Sequence, residues 1–153
     1  MTARIDYMAV APEALKILLS QEAYLAQHFA DSQTLSVTLW ELVKLRISQI
    51  NQCAFCIDMH TKDALKYGET PERIIGLSAW REMPLYTVNE RAALAWAEQL
   101  TAAKAASDEM YQHTLAKLGE RGIVDLTIAV NAINSWNRIV KAFQPVVGEY
   151  QPS

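Results

Sequence analysis

Cys53 and Cys56 are the only two cysteines of the chain, and His60 follows in the run Cys53-Ala54-Phe55-Cys56-Ile57-Asp58-Met59-His60. On a helix, spacings of three and then four put these three side chains on one face. Two cysteines in a first helical turn have Cα atoms about 5 to 6 Å apart, a separation that a disulfide accepts, so the pair can cycle between dithiol and disulfide without rearranging the fold. That chemistry needs a thiolate. A helix N-terminus or a neighbouring imidazole lowers a cysteine pKa from about 8.5 to roughly 3.5–7.5. His60, one turn past Cys56, could accept its proton, and Glu41 on the preceding segment could orient the imidazole or relay a proton. The N-terminal position favours the thiolate at Cys53, whereas His60 favours it at Cys56.

Blander chemistry is open to the same residues. The cysteines could be two small buried apolar side chains. Cys53, Cys56 and His60 could also supply three ligands to zinc, but a closed site needs a fourth, and His28 and His113 are remote in sequence. The reading adopted is therefore redox, with no metal and no cofactor. Thioredoxin-type proteins place C-x-x-C after a strand in a βαβ setting. No such strand is legible here, so the motif belongs to a different fold.

The elements that must hold these residues read as helices throughout. Gly and Pro are few and fall at element ends, and no stretch alternates apolar and polar residues as a half-buried strand does. Pro12 and Glu13 open a first helix to about His28, broken by Asp31, Ser32 and Gln33. Thr34 to about Ile50 is apolar nearly all round, the pattern of a helix buried on most sides. The cysteine helix runs from Cys53 to Tyr67 and stops at Gly68. Thr70 and Pro71 open a short helix to about Ala79, and Thr87 with Glu90 forms a capping box ahead of Ala92 to Leu100. Ser107 or Asp108 caps a helix to Gly119, and Ile123 to Phe143 forms a long last one before Pro145. The architecture expected is an all-α bundle of six or seven helices with the C-x-x-C at the start of one of them, in a single domain over residues 1–153.

Other conspicuous side chains have plainer uses. Trp40, Trp80, Trp96 and Trp136 suit a core or a subunit interface better than a pocket. Asn131, Asn134 and Asn137 lie on an otherwise apolar helix, where buried amides must find partners, and could bridge helices or subunits. Lys44 and Arg46 could help to lower a thiol pKa, although an ion-paired or snorkelling side chain is the simpler reading.

With 153 residues, 51% of them hydrophobic, the chain is large enough to bury a core without staples. Its 14 basic and 17 acidic residues form no long run of either sign, which argues against a nucleic-acid or anionic-membrane surface. The first residues lack the shape of a signal peptide, because Asp6 and Glu13 interrupt any apolar stretch. Nothing approaches the roughly 20 apolar residues that span a bilayer. A cytoplasmic protein is expected, where a close cysteine pair is more often catalytic or metal-binding than structural.

The run Glu41-x11-Cys53-x2-Cys56-x3-His60 resembles the signature of the carboxymuconolactone decarboxylase and alkylhydroperoxidase AhpD-like superfamily. Three further segments look like its small single-domain members: Ser78 to Glu82, Glu90 to Thr101 and Ala132 to Arg138. The resemblance covers roughly residues 35–143. It implies an all-α fold assembled into trimers or hexamers, and a peroxidase in which Cys56 attacks a peroxide substrate and Cys53 resolves the sulfenic acid. His60 and Glu41 would be the proton relay, and an external dithiol, in the AhpD prototype a lipoylated protein, would reduce the disulfide. In one respect the chain departs from the prototype, which has a second histidine immediately before the second cysteine where Phe55 stands here. A redox sensor without enzymatic activity or a general disulfide reductase therefore stays open beside the peroxidase, and a decarboxylase-type enzyme is the more distant alternative.

Overall fold

A computed structural model describes residues 4–153. Among these residues all regular structure is helical. The helices are α1 (Tyr7–Val10), α2 (Pro12–Asp31), α3 (Val37–Ile50), α4 (Ala54–Lys66), α5 (Pro71–Gly76), α6 (Val88–Thr101) and α7 (Asp108–Phe143), with a 3-10 turn at Leu77–Ala79 closing α5. The expected all-α class, with a cysteine pair at a helix start, is what the chain adopts.

Local chemistry accounts for most boundaries. Pro12 opens α2 at a position where its missing N–H has no helical partner to lose. The short α1 escaped the sequence reading and exists because the Asp6 carboxylate accepts from the amides of Met8 and Ala9. The helix expected from Thr34 begins three residues later, because Ser32 Oγ holds the amides of Thr34 and Leu35 in a turn and Ser36 is the cap. The capping box of Thr87 and Glu90 is formed. The two expected C-terminal helices are both present and follow one another without a loop, divided by a kink at Gly119, which takes φ 75° and ψ 168°. That backbone state suits glycine and stops a regular helix there.

The central element is α3, which packs against α2, α4, α6 and α7. Leu42, Val43, Leu45 and Ile47 are fully buried, each worth about 1.5–3 kcal/mol relative to an exposed side chain. Trp40, Trp80 and Trp96 join this core, as expected, while Trp136 is only half-buried. The unusual members of the buried face of α3 are Glu41, Lys44 and Ser48. Polar side chains are rarely left in such a place without partners, and each proves to have a partner near the cysteines. Among the described residues no helix is long and apolar enough to cross a membrane.

Candidate active site

The turn between α3 and α4 fixes the cysteines. The Cys53 amide reaches back to the Ser48 carbonyl at 3.0 Å and the Gln52 amide to the Gln49 carbonyl at 3.1 Å, the paired bonds of a Schellman ending. Gln52 takes the left-handed position with φ 54°. A residue other than glycine is costly there, and the turn is held by contacts from α7. Asn51 Nδ2 donates to Asn134 Oδ1 and to Asn137 Oδ1, both at 2.9 Å, and Asn137 Nδ2 donates to Ser48 Oγ at 3.1 Å. Lys141 Nζ adds a bond to the Asn51 carbonyl. Two of the three asparagines singled out in the sequence are thus the clamp on the cysteine turn. Asn131 is exposed and takes no part.

Cys53 is the N-cap of α4 and Cys56 lies in its first turn. Their Cα atoms are 5.3 Å apart and the two are joined as a disulfide, both 1% exposed. Cys56, His60 and Ala64, spaced by four, form the buried stripe of the helix. His60 Nδ1 lies 2.9 Å from Glu41 Oε2, and Lys44 Nζ lies 2.5 Å from Glu41 Oε1. Lys44 also sits over the Trp40 ring, 3.7 Å from its centroid. All four expected site residues are therefore brought together. Lys44 is an addition to the set, while Arg46 turns away to pair with Glu98 at 2.7 Å.

Electrostatics sets the form of each group. Burial presses the His60 pKa below its ordinary value of 6.5, and the Lys44 charge pushes the same way, outweighing the hydrogen bond to Glu41. Burial acts to raise the Glu41 pKa, but the His60 hydrogen bond and the Lys44 charge outweigh it and hold the carboxyl below its ordinary value. A carboxylate only accepts, so Nδ1 carries the imidazole proton and Nε2 is a bare lone pair. Among the described residues, His60 Nε2 is the one buried side-chain nitrogen or oxygen without a hydrogen-bond partner. Glu41, His60 and Asp63 bring ligand atoms within 4.8 Å of one another, a spacing that could hold a cation. Both oxygens of Glu41 are already engaged, however, by Lys44 and His60, and Oδ1 of Asp63 by the Tyr150 hydroxyl.

The two sulfurs face different spaces. Cys53 borders a cavity of about 780 Å³ whose walls include Arg4, Lys141 and Gln144. Cys56 borders one of about 390 Å³, shared with His60, Lys44, Glu22, Met59 and Trp136. Phe55 and Val140 line both.

Residues 18–99 match the model of the carboxymuconolactone decarboxylase family. The chain belongs to that family. It is 45% identical over 141 residues to the uncharacterized protein YdfG of Bacillus subtilis, covering 91% of this chain and 92% of that one. A solved structure of an Agrobacterium tumefaciens protein of unknown function, described as a candidate antioxidant defence protein AhpD, superimposes with a TM-score of 0.87. It is 37% identical and covers 97% of this chain and 100% of its own. The fold is shared at lower identity with the debrominase Bmp8, at a TM-score of 0.80 and 15% identity over 93% of this chain and 75% of that one. Within this AhpD-like family fold, Glu22 and Trp136 are cavity residues that sequence reading missed. Glu22 lies far from the motif, and Trp136 carried only the general signal of a large aromatic on the last helix.

Proposed function

We propose that this chain is a thiol-dependent peroxidase of the alkylhydroperoxidase type. The observation that carries the reading is the buried imidazole of His60. Its Nδ1 is held by a carboxylate and its Nε2 is bare, one turn from a cysteine already paired with its neighbour. A nucleophile, a base and a group orienting the base are the parts of an activated thiol. In the proposed cycle His60 takes the proton of Cys56, and the thiolate attacks the terminal oxygen of a peroxide. The sulfenic acid then condenses with Cys53, releasing water and forming the disulfide, and an external dithiol reopens it. The reductant would be a dithiol such as a lipoylated protein. The cavity beside Cys56, small and largely apolar, suits an organic hydroperoxide, and the description of the Agrobacterium relative as an antioxidant defence protein points the same way. The proposed setting is the cytoplasm, with one domain over residues 1–153 acting in a homo-oligomer.

The test is steady-state consumption of cumene hydroperoxide with a dithiol reductant, by wild-type protein and by Cys56→Ser. Loss of turnover in the variant is expected. Equal rates would sink the reading.

A further inference from the structure

The cavity beside Cys56 has room for a substrate but few groups able to give it a proton. Phe55, Met59, Ile133 and Val140 on its wall have no transferable hydrogen. His60 presents a bare Nε2 at rest and gains a proton there only by ionising Cys56, Lys44 is held at 2.5 Å by Glu41, and Asp63 accepts from Tyr150 at 2.8 Å. Yet a peroxide that loses its terminal oxygen to a thiolate expels an alkoxide, a strong base. Protonation of that oxygen as it leaves is a step that general acids typically speed by about 10²–10⁴-fold.

Glu22 meets the requirement. It reaches the cavity from α2, and its Oε1 accepts from Trp136 Nε1 at 3.1 Å, which leaves Oε2 to carry a proton. Burial raises its hold on that proton above the ordinary carboxylate level. The Glu41 charge acts the same way, and both work against Lys44 and the Trp136 hydrogen bond. Tyr7, on the same wall, is the rival donor. Its phenol starts as a much weaker acid, and burial followed by the Asp6 charge raises its pKa further.

We infer that Glu22 is the acid that protonates the oxygen leaving the peroxide, a catalytic residue supplied from outside the Glu-Cys-Cys-His motif. The inference rests on the peroxidase reading above and adds a role to it. In the step, the Cys56 thiolate forms a bond to the terminal oxygen of ROOH as the O–O bond breaks. Sulfur is oxidised by two electrons to the sulfenic acid and the peroxide is reduced by two. The departing RO⁻ takes the proton of Glu22 and leaves as ROH. Glu22 remains as a carboxylate until the proton that His60 took from Cys56 passes to it, which restores the acid and leaves Nε2 bare for the next Cys56 thiol, freed when the external dithiol reopens the disulfide. Two carboxyl groups thereby do different work. Glu41 stays ionised beside Lys44 and His60, whereas Glu22 cycles.

Glu22→Gln keeps the shape and the acceptor for Trp136 but removes the acidic proton. Rate constants for cumene hydroperoxide and peracetic acid are measured on the same preparation with dithiothreitol, after subtracting the rate given by Cys56→Ser. The cumyl alkoxide needs a proton to leave, and acetate does not. The expected result is a fall of about 100-fold or more in the ratio of the two rate constants in Glu22→Gln. Because both rates scale with the fraction of folded protein, a poorly folding preparation leaves the ratio intact. An unchanged ratio overturns the role of Glu22 and leaves the peroxidase reading standing, as does a fall seen in Tyr7→Phe alone, which moves the role to the phenol. Wild-type protein that consumes neither peroxide above Cys56→Ser overturns both.

Discussion

His60 Nδ1 lies 2.9 Å from Glu41 Oε2, with the two side chains 5% and 4% exposed. The second oxygen of the same carboxylate meets Lys44 Nζ, so one buried anion serves both an imidazole and an ammonium. Its two services can be separated. One neutralises a cation that would otherwise be stranded out of water, and the other sets which imidazole nitrogen is free.

Glu41→Gln is expected to lose both. A buried ion left without its partner costs about 3–5 kcal/mol, and a mis-set imidazole is expected to slow peroxide turnover about 100-fold. Adding Lys44→Met removes the stranded cation, so the double variant should regain most of the stability but none of the rate. Urea melts and kcat/KM on the same preparations check this. Recovery of rate together with stability would mean that Glu41 only supports the fold.

Cys53→Ser separates attack from resolution. The variant should consume about one equivalent of peroxide and stop, holding a sulfenic acid at Cys56 that dimedone traps as a mass adduct. Cys56→Ser should give neither burst nor adduct. A dimedone adduct on Cys53 in Cys56→Ser, with a full burst, would reverse the assignment and favour the pull of the helix N-terminus over that of His60.

How much of this could be read from the residues depended on how local the cause was. The C-x-x-C at a helix start, its reach to His60 and the capping box at Thr87 are short-range consequences of backbone geometry, and they are found as expected. Glu41 was nameable from its place on the segment preceding the cysteines and from the family signature. Lys44 was expected as an ion-paired or snorkelling side chain: the ion pair forms, with Glu41, and burial against Trp40 excludes snorkelling. Glu22 and Trp136 meet across 114 positions of sequence, and no local pattern forecasts that. The kink at Gly119 shows the reverse case. Glycine marked a helix end correctly, but that the next helix follows at once, with no loop between, is not written in the glycine itself.

The asparagine clamp gives a prediction with an internal control. Asn137 is fully buried and bonds Asn51 and Ser48, so Asn137→Ala leaves both partners short and should cost about 1–3 kcal/mol. Asn131→Ala, on the exposed side of the same helix, should stay within about 0.5 kcal/mol of wild type. Chemical denaturation of the oxidised proteins measures both. Equal effects would mean that the amides contribute through the helix rather than through the turn that carries the cysteines.

Burial of His60 makes stability depend on pH with a definite sign. Its folded pKa is lowered, so below the ordinary value of 6.5 the unfolded chain takes up a proton that the folded chain refuses. Unfolding then binds protons, and stability falls as the pH drops from about 7 through 6.5 and on towards the folded value. The contribution of this one group is at most about 1.4 kcal/mol per pH unit. Glu41, also lowered, adds a second loss of the same sign once the pH passes below its ordinary 4.5. Thermal melts of the oxidised protein between pH 7.5 and 5 should show the first loss in wild type and a flatter profile in His60→Gln, because glutamine has no proton to refuse. Parallel profiles would mean that His60 takes its proton as readily in the fold as in the unfolded chain. In that case Nε2 would not be the bare base that the proposed chemistry at Cys56 requires.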